Sequence, residues 1–243
     1  MKTVCEKVIE KMKEQGMDFA VLTNPANIRY ISGFEVPFWP AWMGDVSNGN
    51  PMITAIVDTE QKKVRLVASD MYKNKILRAG ITDAVLWRSF THLEINDADY
   101  NYETVLSNVL SEVANGKKKP VVGIEPNYTV MHILSVLKNK FPNCTFESAA
   151  QILTEVRYIK TPEDILNLTE VARVADAAQQ KLIEISKSEG DYTELDIWFE
   201  VQKVVSHAAG CLTPFVGELV TGPNTGLSDY PLGPTCRKVK KVI

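Results

Sequence analysis

The sequence has no pair of cysteines placed to act together. Its four, Cys5, Cys144, Cys211 and Cys236, form no C-x-x-C and no short spacing that could hold zinc, so a zinc knuckle and a dithiol redox centre are excluded. They are expected to be reduced and mostly buried. Long apolar runs are also missing: nothing approaches the roughly 20 residues of a membrane span. The N-terminal MKTVCEKVIEKMKEQG is charged throughout and contains no apolar signal core. The expected compartment is the cytoplasm, with no membrane partner. An excess of charge is absent too, since 27 Lys and Arg against 30 Asp and Glu leave a formal net charge of -3. That balance gives no general attraction to phosphate backbones, and the one basic run, Arg237 to Lys241, reads as a solvated turn. Nucleic acid is not an expected partner. No G-x-S-x-G elbow, Walker loop, dinucleotide fingerprint or H-E-x-x-H occurs. The three histidines, His92, His132 and His207, stand far apart and are read as structural or exposed.

What is present is an ordinary globular composition, 45% hydrophobic and 23% charged, in 243 residues, a length that favours two domains over one. Val4, Val8 and Met12 recur at helical spacing from Thr3 to Gln15, and Gly16 supplies a stop. Phe19 to Thr23 is a short strand ended by Asn24-Pro25. Met52 to Asp58 and Lys63 to Ser69 read as an antiparallel hairpin. Helical patterns at Met71 to Arg78, Glu103 to Asn115 and Val130 to Lys140 alternate with strand-like runs at Ala84 to Trp87, Val121 to Glu125 and Cys144 to Glu147. Such alternation predicts an α/β (α+β) fold with a mixed sheet covered by helices. Beyond Ile152 the character changes. Thr161 can cap a helix with Pro162 in its first turn and Asp164 completing a capping box, which puts a domain boundary near residue 155, with domains 1–155 and 156–243. That helix is expected to run to about Lys187. Thr193 caps a second, Glu194 to about Ala209, ended by Gly210; a strand at Glu218 to Thr221 then leads into the turn GPNTG. The apolar faces of these two helices exceed what they can cover for each other, so a sheet is expected to shelter them that the chain does not contain.

Two stretches carry a resemblance. Leu22-Thr23-Asn24-Pro25-Ala26-Asn27-Ile28-Arg29-Tyr30-Ile31-Ser32-Gly33-Phe34 resembles the N-terminal domain of the creatinase, prolidase and aminopeptidase P family. In physical terms Asn24-Pro25 ends a strand, Asn27 is placed to cap a short helix, Tyr30 and Ile31 bury its inner face, and Gly33 permits a reversal. Arg157-Tyr158-Ile159-Lys160-Thr161-Pro162-Glu163-Asp164-Ile165 is similar to that family's junction between its two domains. Glu125 within VVGIEPNY and the closing TGPNTGLSDYPLGPTCRK fit in order and spacing.

The resemblance implies a creatinase-type N-terminal domain followed by an incomplete pita-bread domain, in a parent protein that hydrolyses C–N bonds. It implies two divalent metals (Mn, Co or Zn) in the family's peptidases, held by two aspartates, a histidine and two glutamates that activate a water. All five would fall beyond Ile243, so no catalytic or metal residue is assigned, no cofactor is expected in this chain, and the chain alone is expected to be inactive. The substrate of the parent would be a small peptide or a small amide or amidino compound, and a homodimer is expected. Asn224 and Thr225 would shape the entrance to the site. Asp229 stands nearest the place where relatives carry a histidine and is read chiefly as a turn residue. Phe38, Trp39 and Trp42, in the aromatic stretch Pro37 to Met43, are candidates for a wall facing substrate, weighed against simple packing. The rival is a non-catalytic binding module on a peptidase-like fold.

Overall fold

The computed structural model describes residues 3–35, 50–91, 93–213, 219–226 and 233–239. They group into two compact units, Met1–Ile159 and Lys160–Ile243.

In the first unit, helix α1 (Val4–Glu14) opens on a reciprocal capping box. The Thr3 hydroxyl accepts from the Glu6 amide at 3.2 Å, and the Glu6 carboxylate accepts from the Thr3 amide at 2.7 Å. Val8, Ile9 and Met12 form its buried stripe. Strand β1 (Phe19–Leu22) is buried along its whole length. Helix α2 (Pro25–Ser32) follows, but its cap is Asn24, whose side chain accepts from the Ala26 amide at 2.9 Å. Asn27 therefore does not cap the helix as expected; it sits a turn inside, buried. Pro25 explains the difference, because a proline fits the first helical position and leaves the residue before it to cap. Gly33 closes the helix with φ 71°, a left-handed conformation that glycine takes without a Cβ penalty.

Strands β2 (Ile53–Asp58) and β3 (Lys63–Ser69) form the expected antiparallel hairpin, with Asp58 opposite Lys63. One Asp58 oxygen accepts from the amides of Glu60 and Gln61, at 2.9 and 2.8 Å, and so fixes the turn. A 3-10 turn (Asp70–Tyr72) leads into α3 (Lys73–Arg78), β4 (Ala84–Trp87) and α4 (Ala98–Ala114). Helix α4 begins earlier than its apolar pattern indicated because the Asp97 side chain caps it at the Tyr100 amide, 2.9 Å. Then come β5 (Val121–Ile124), α5 (Met131–Lys140), β6 (Thr145–Ser148) and α6 (Ala149–Tyr158). Helix α6 had no counterpart in the sequence reading. Its Ile152, Leu153 and Val156 are buried and form a helix stripe.

The six strands make one mixed sheet in the order β4-β3-β2-β1-β5-β6. The β1–β2 and β2–β3 pairs are antiparallel; β3–β4, β1–β5 and β5–β6 are parallel. Alternate side chains point to opposite faces. Ala20, Leu22, Ala55 and Val57 meet α1, α2 and α6 on one side. Phe19, Val21, Ile56 and Val122 meet α4 and α5 on the other. Gly123 marks the tightest point: a Cβ there would lie 2.8 Å from both the Ala20 Cβ and the Met17 sulfur.

The second unit contains α7 (Pro162–Lys187), opened by the expected capping box of Thr161 with Asp164, and α8 (Glu194–Ala209), where the expected cap Thr193 forms a box with Asp196. Gly210 ends α8 in the left-handed conformation. Ala178, Ile185, Ile197, Val201 and Val205 form its small core. Ile165, Leu168 and Val171 on α7 and Phe199 on α8 are exposed. The expected strand at Glu218 to Thr221 is not found over residues 219–221, which pair with no described strand; the bridge in this region joins Thr193 to Lys238. Two of the four cysteines depart from expectation as well. Cys211 and Cys236 are exposed, and Cys5 and Cys144 half-buried, because the first two stand in connecting segments that no apolar layer covers.

Candidate functional site

Of the six residues proposed to meet substrate, Asn224 and Thr225 lie on a 3-10 turn, Gly222–Gly226. Phe38, Trp39, Trp42 and Asp229 lie outside the described residues. Within the turn the Thr225 hydroxyl donates to the Gly222 carbonyl at 2.8 Å, closing the loop on itself.

The approach to this turn is built around Glu194, the first residue of α8 and fully buried. One carboxylate oxygen accepts from the Thr221 amide at 2.8 Å and from its hydroxyl at 2.7 Å. The other accepts from the amide and hydroxyl of Thr235 at 3.0 and 2.7 Å. Burial alone would raise the carboxyl's pKa, but these four bonds outweigh it and hold the group down at about 2. The Arg237 guanidinium adds a bond to the Thr221 carbonyl at 3.3 Å. Beside this assembly an apolar cavity of about 300 Å³ is lined by Leu182, Ile185, Tyr192, Ile197, Leu219 and Val239.

A second buried carboxylate organises the first unit. Glu125, just past β5, accepts from the amides of Thr23 and Asn24 at 2.6 and 2.8 Å and from the Asn27 side chain at 2.6 Å. Arg157 donates to the Asn27 oxygen at 3.1 Å and lies over the Tyr30 ring. The motif residues around Asn24 and Arg157, far apart in sequence, thus meet at Asn27, which bonds Arg157 through its oxygen and Glu125 through its nitrogen. Their spacing carried no sign of this, since a glutamate after a strand reads as solvent-facing unless its partners are known.

The remaining candidates are committed elsewhere. His132 has Nδ1 2.5 Å from the Asn50 oxygen and Nε2 2.7 Å from Glu103; His207 is exposed in the last turn of α8, and His92 lies outside the described residues. Burial raises the thiol pKa of Cys5, with Glu6 adding to it, and burial also raises that of Cys144, which opposes a role for either as a thiolate nucleophile. Among the described residues no group of three or more His, Cys, Asp or Glu is placed to hold a metal ion, so the metal implied by the resemblance finds no ligand set there. Nor is any helix among them long and apolar enough to cross a membrane.

Comparison with known proteins places this arrangement. A dipeptidase from Pyrococcus horikoshii OT3 superposes with a TM-score of 0.67 at 20% identity, covering 98% of this chain and 58% of that one. Prolidase from Pyrococcus furiosus gives 0.67 at 17% identity, covering 97% and 62%. Xaa-Pro dipeptidase from Bacillus anthracis gives 0.61 at 15%, covering 98% and 57%. A protein of Sinorhizobium fredii described as an uncharacterized hydrolase/peptidase is 19% identical over 181 residues, 74% of this chain and 43% of its own length. The chain therefore spans little more than half the length of these structures and less than half of that relative. The profile of the Creatinase/Prolidase N-terminal domain matches residues 5–159, the whole of the sheet and its covering helices. The chain belongs to the Creatinase/Prolidase N-terminal domain family.

Proposed function

We propose that these residues belong to a hydrolase of C–N bonds, of the Xaa-Pro dipeptidase or creatinase kind. A creatinase-type N-terminal domain, set at 1–155 on the sequence, is followed by the opening of a pita-bread catalytic domain from 156. The observation that supports this reading is that the match to dipeptidase and prolidase structures continues past the family domain, covering 97–98% of the chain. Asn224, Thr225 and Asp229 would contact the substrate, an Xaa-Pro dipeptide or a small amide or amidino compound. Phe38, Trp39 and Trp42 would supply an apolar wall. The divalent metal, Mn, Co or Zn, would take ligands beyond the described residues. A cytoplasmic homodimer completes the proposal.

The test is hydrolysis by the protein carried to the full length of its relatives and supplied with Mn or Co, on a panel of Xaa-Pro dipeptides and creatine. Metal-dependent cleavage is expected; a folded, metal-supplied protein that cleaves none of them would sink the reading. Asp229, at the place where relatives carry histidine, favours a second reading, a peptidase-like module that binds without hydrolysing. Dipeptide binding without turnover in the same assay would select it.

A further inference from the structure

We propose that Glu194 is the positioning residue of the Gly222–Gly226 turn, fixing the backbone that carries Asn224 and Thr225 in the conformation that meets substrate. The inference rests on the reading of that turn as substrate-binding. Its physical basis is the division of labour between the two carboxylate oxygens. One serves Thr221 alone, the residue that enters the turn, and the other serves Thr235 alone, in a different segment. A carboxylate at the first position of α8 also sits where the helix dipole favours negative charge. An apolar side chain would fill the same buried space with less demand on geometry, whereas four convergent bonds to two backbone amides and two hydroxyls are satisfied in one arrangement only. The turn's entry is further narrowed by Arg237, bonded to the Thr221 carbonyl and 3.5 Å from where a Gly222 Cβ would stand. Gly222 itself takes φ 58°, so the direction of the chain leaving Thr221 is set at a residue with no side chain to steady it.

The test compares three variants of the metal-free protein, carried to the full length of its relatives, by amide NMR, with and without the dipeptide Gly-Pro. Glu194→Gln removes one acceptor oxygen, and Thr221→Val removes the hydroxyl bond at constant shape. Val205→Ala weakens the same core away from the turn and serves as a control matched for lost thermal stability. The expected result is that Glu194→Gln and Thr221→Val shift the amides of Gly222, Thr225 and Gly226 and weaken Gly-Pro binding about tenfold, while Val205→Ala leaves those amides in place. Wild-type turn shifts in both clasp variants would overturn the inference, as would equal displacement in Val205→Ala. If Gly-Pro moves no turn amide in the wild type, the substrate reading of the turn fails, and the shifts without ligand still decide whether Glu194 sets its conformation.

Discussion

The Glu125 carboxylate accepts a hydrogen bond from the Asn27 side chain at 2.6 Å across the ends of β5 and α2. Two oxygens thereby satisfy two backbone amides and one side-chain amide in a site almost closed to water. Glu125→Ala leaves all three donors without a partner, and Arg157 beside them loses the oriented Asn27 oxygen. We expect a loss of about 3 kcal/mol in urea unfolding of the first unit. A loss under 1 kcal/mol would mean that water replaces the carboxylate.

Glu194 makes the second unit sensitive to acid. Its folded pKa of about 2 lies below its ordinary value of 4.5, so folding favours the ionised form. The stabilisation is present in full above about pH 4.5 and is lost as the pH falls through 2. The gap in thermal stability between wild type and Glu194→Gln should accordingly be wide at pH 7 and narrow at pH 3. A gap independent of pH would show that the charge contributes nothing.

Gly123 is required by packing. An added methyl would press on the Ala20 Cβ and the Met17 sulfur at 2.8 Å, with the Ala149 Cβ at 3.3 Å. Gly123→Ala should cost about 1–3 kcal/mol, the range for overpacked cores. Adding Met17→Ala should recover part of the loss, because the sulfur belongs to the flexible neighbour; no recovery would locate the strain at Ala20 on β1.

Thr161 caps the longest helix. Its hydroxyl accepts from the Asp164 amide at 3.1 Å, and Asp164 returns a bond to the Thr161 amide at 2.9 Å. Thr161→Ala should cost about 1 kcal/mol and fray the first turn of α7, measured as faster amide exchange at Ile165.

Two large apolar side chains of α7 are exposed among the described residues. Ile165 and Leu168 are 55% and 54% exposed. Ile165→Lys with Leu168→Gln should change thermal unfolding of the 243 residues by less than about 0.5 kcal/mol, the usual range for surface positions. A large loss would reveal a covering contact.

Much of the architecture could be read directly. Thr161 and Thr193 announce helix starts because side-chain capping acts over about three residues. The β2–β3 hairpin follows from two apolar runs and a short polar turn. Helix α6 is not legible in the sequence because its stripe, Ile152, Leu153 and Val156, is short and abuts the charged junction. Asn24-Pro25 and Asn27 both suit a helix start, and local chemistry does not rank them.

By itself the sequence determined the helix starts at Thr161 and Thr193 and the β2–β3 hairpin, since each depends on neighbours a few residues away. Tertiary structure alone decided that Asn27 turns inward to Glu125, 98 residues distant, and that Glu194 gathers Thr221 and Thr235 from 27 and 41 residues away. A buried carboxylate needs hydrogen-bond donors whatever their sequence separation, and only the folded chain selects which donors converge on it.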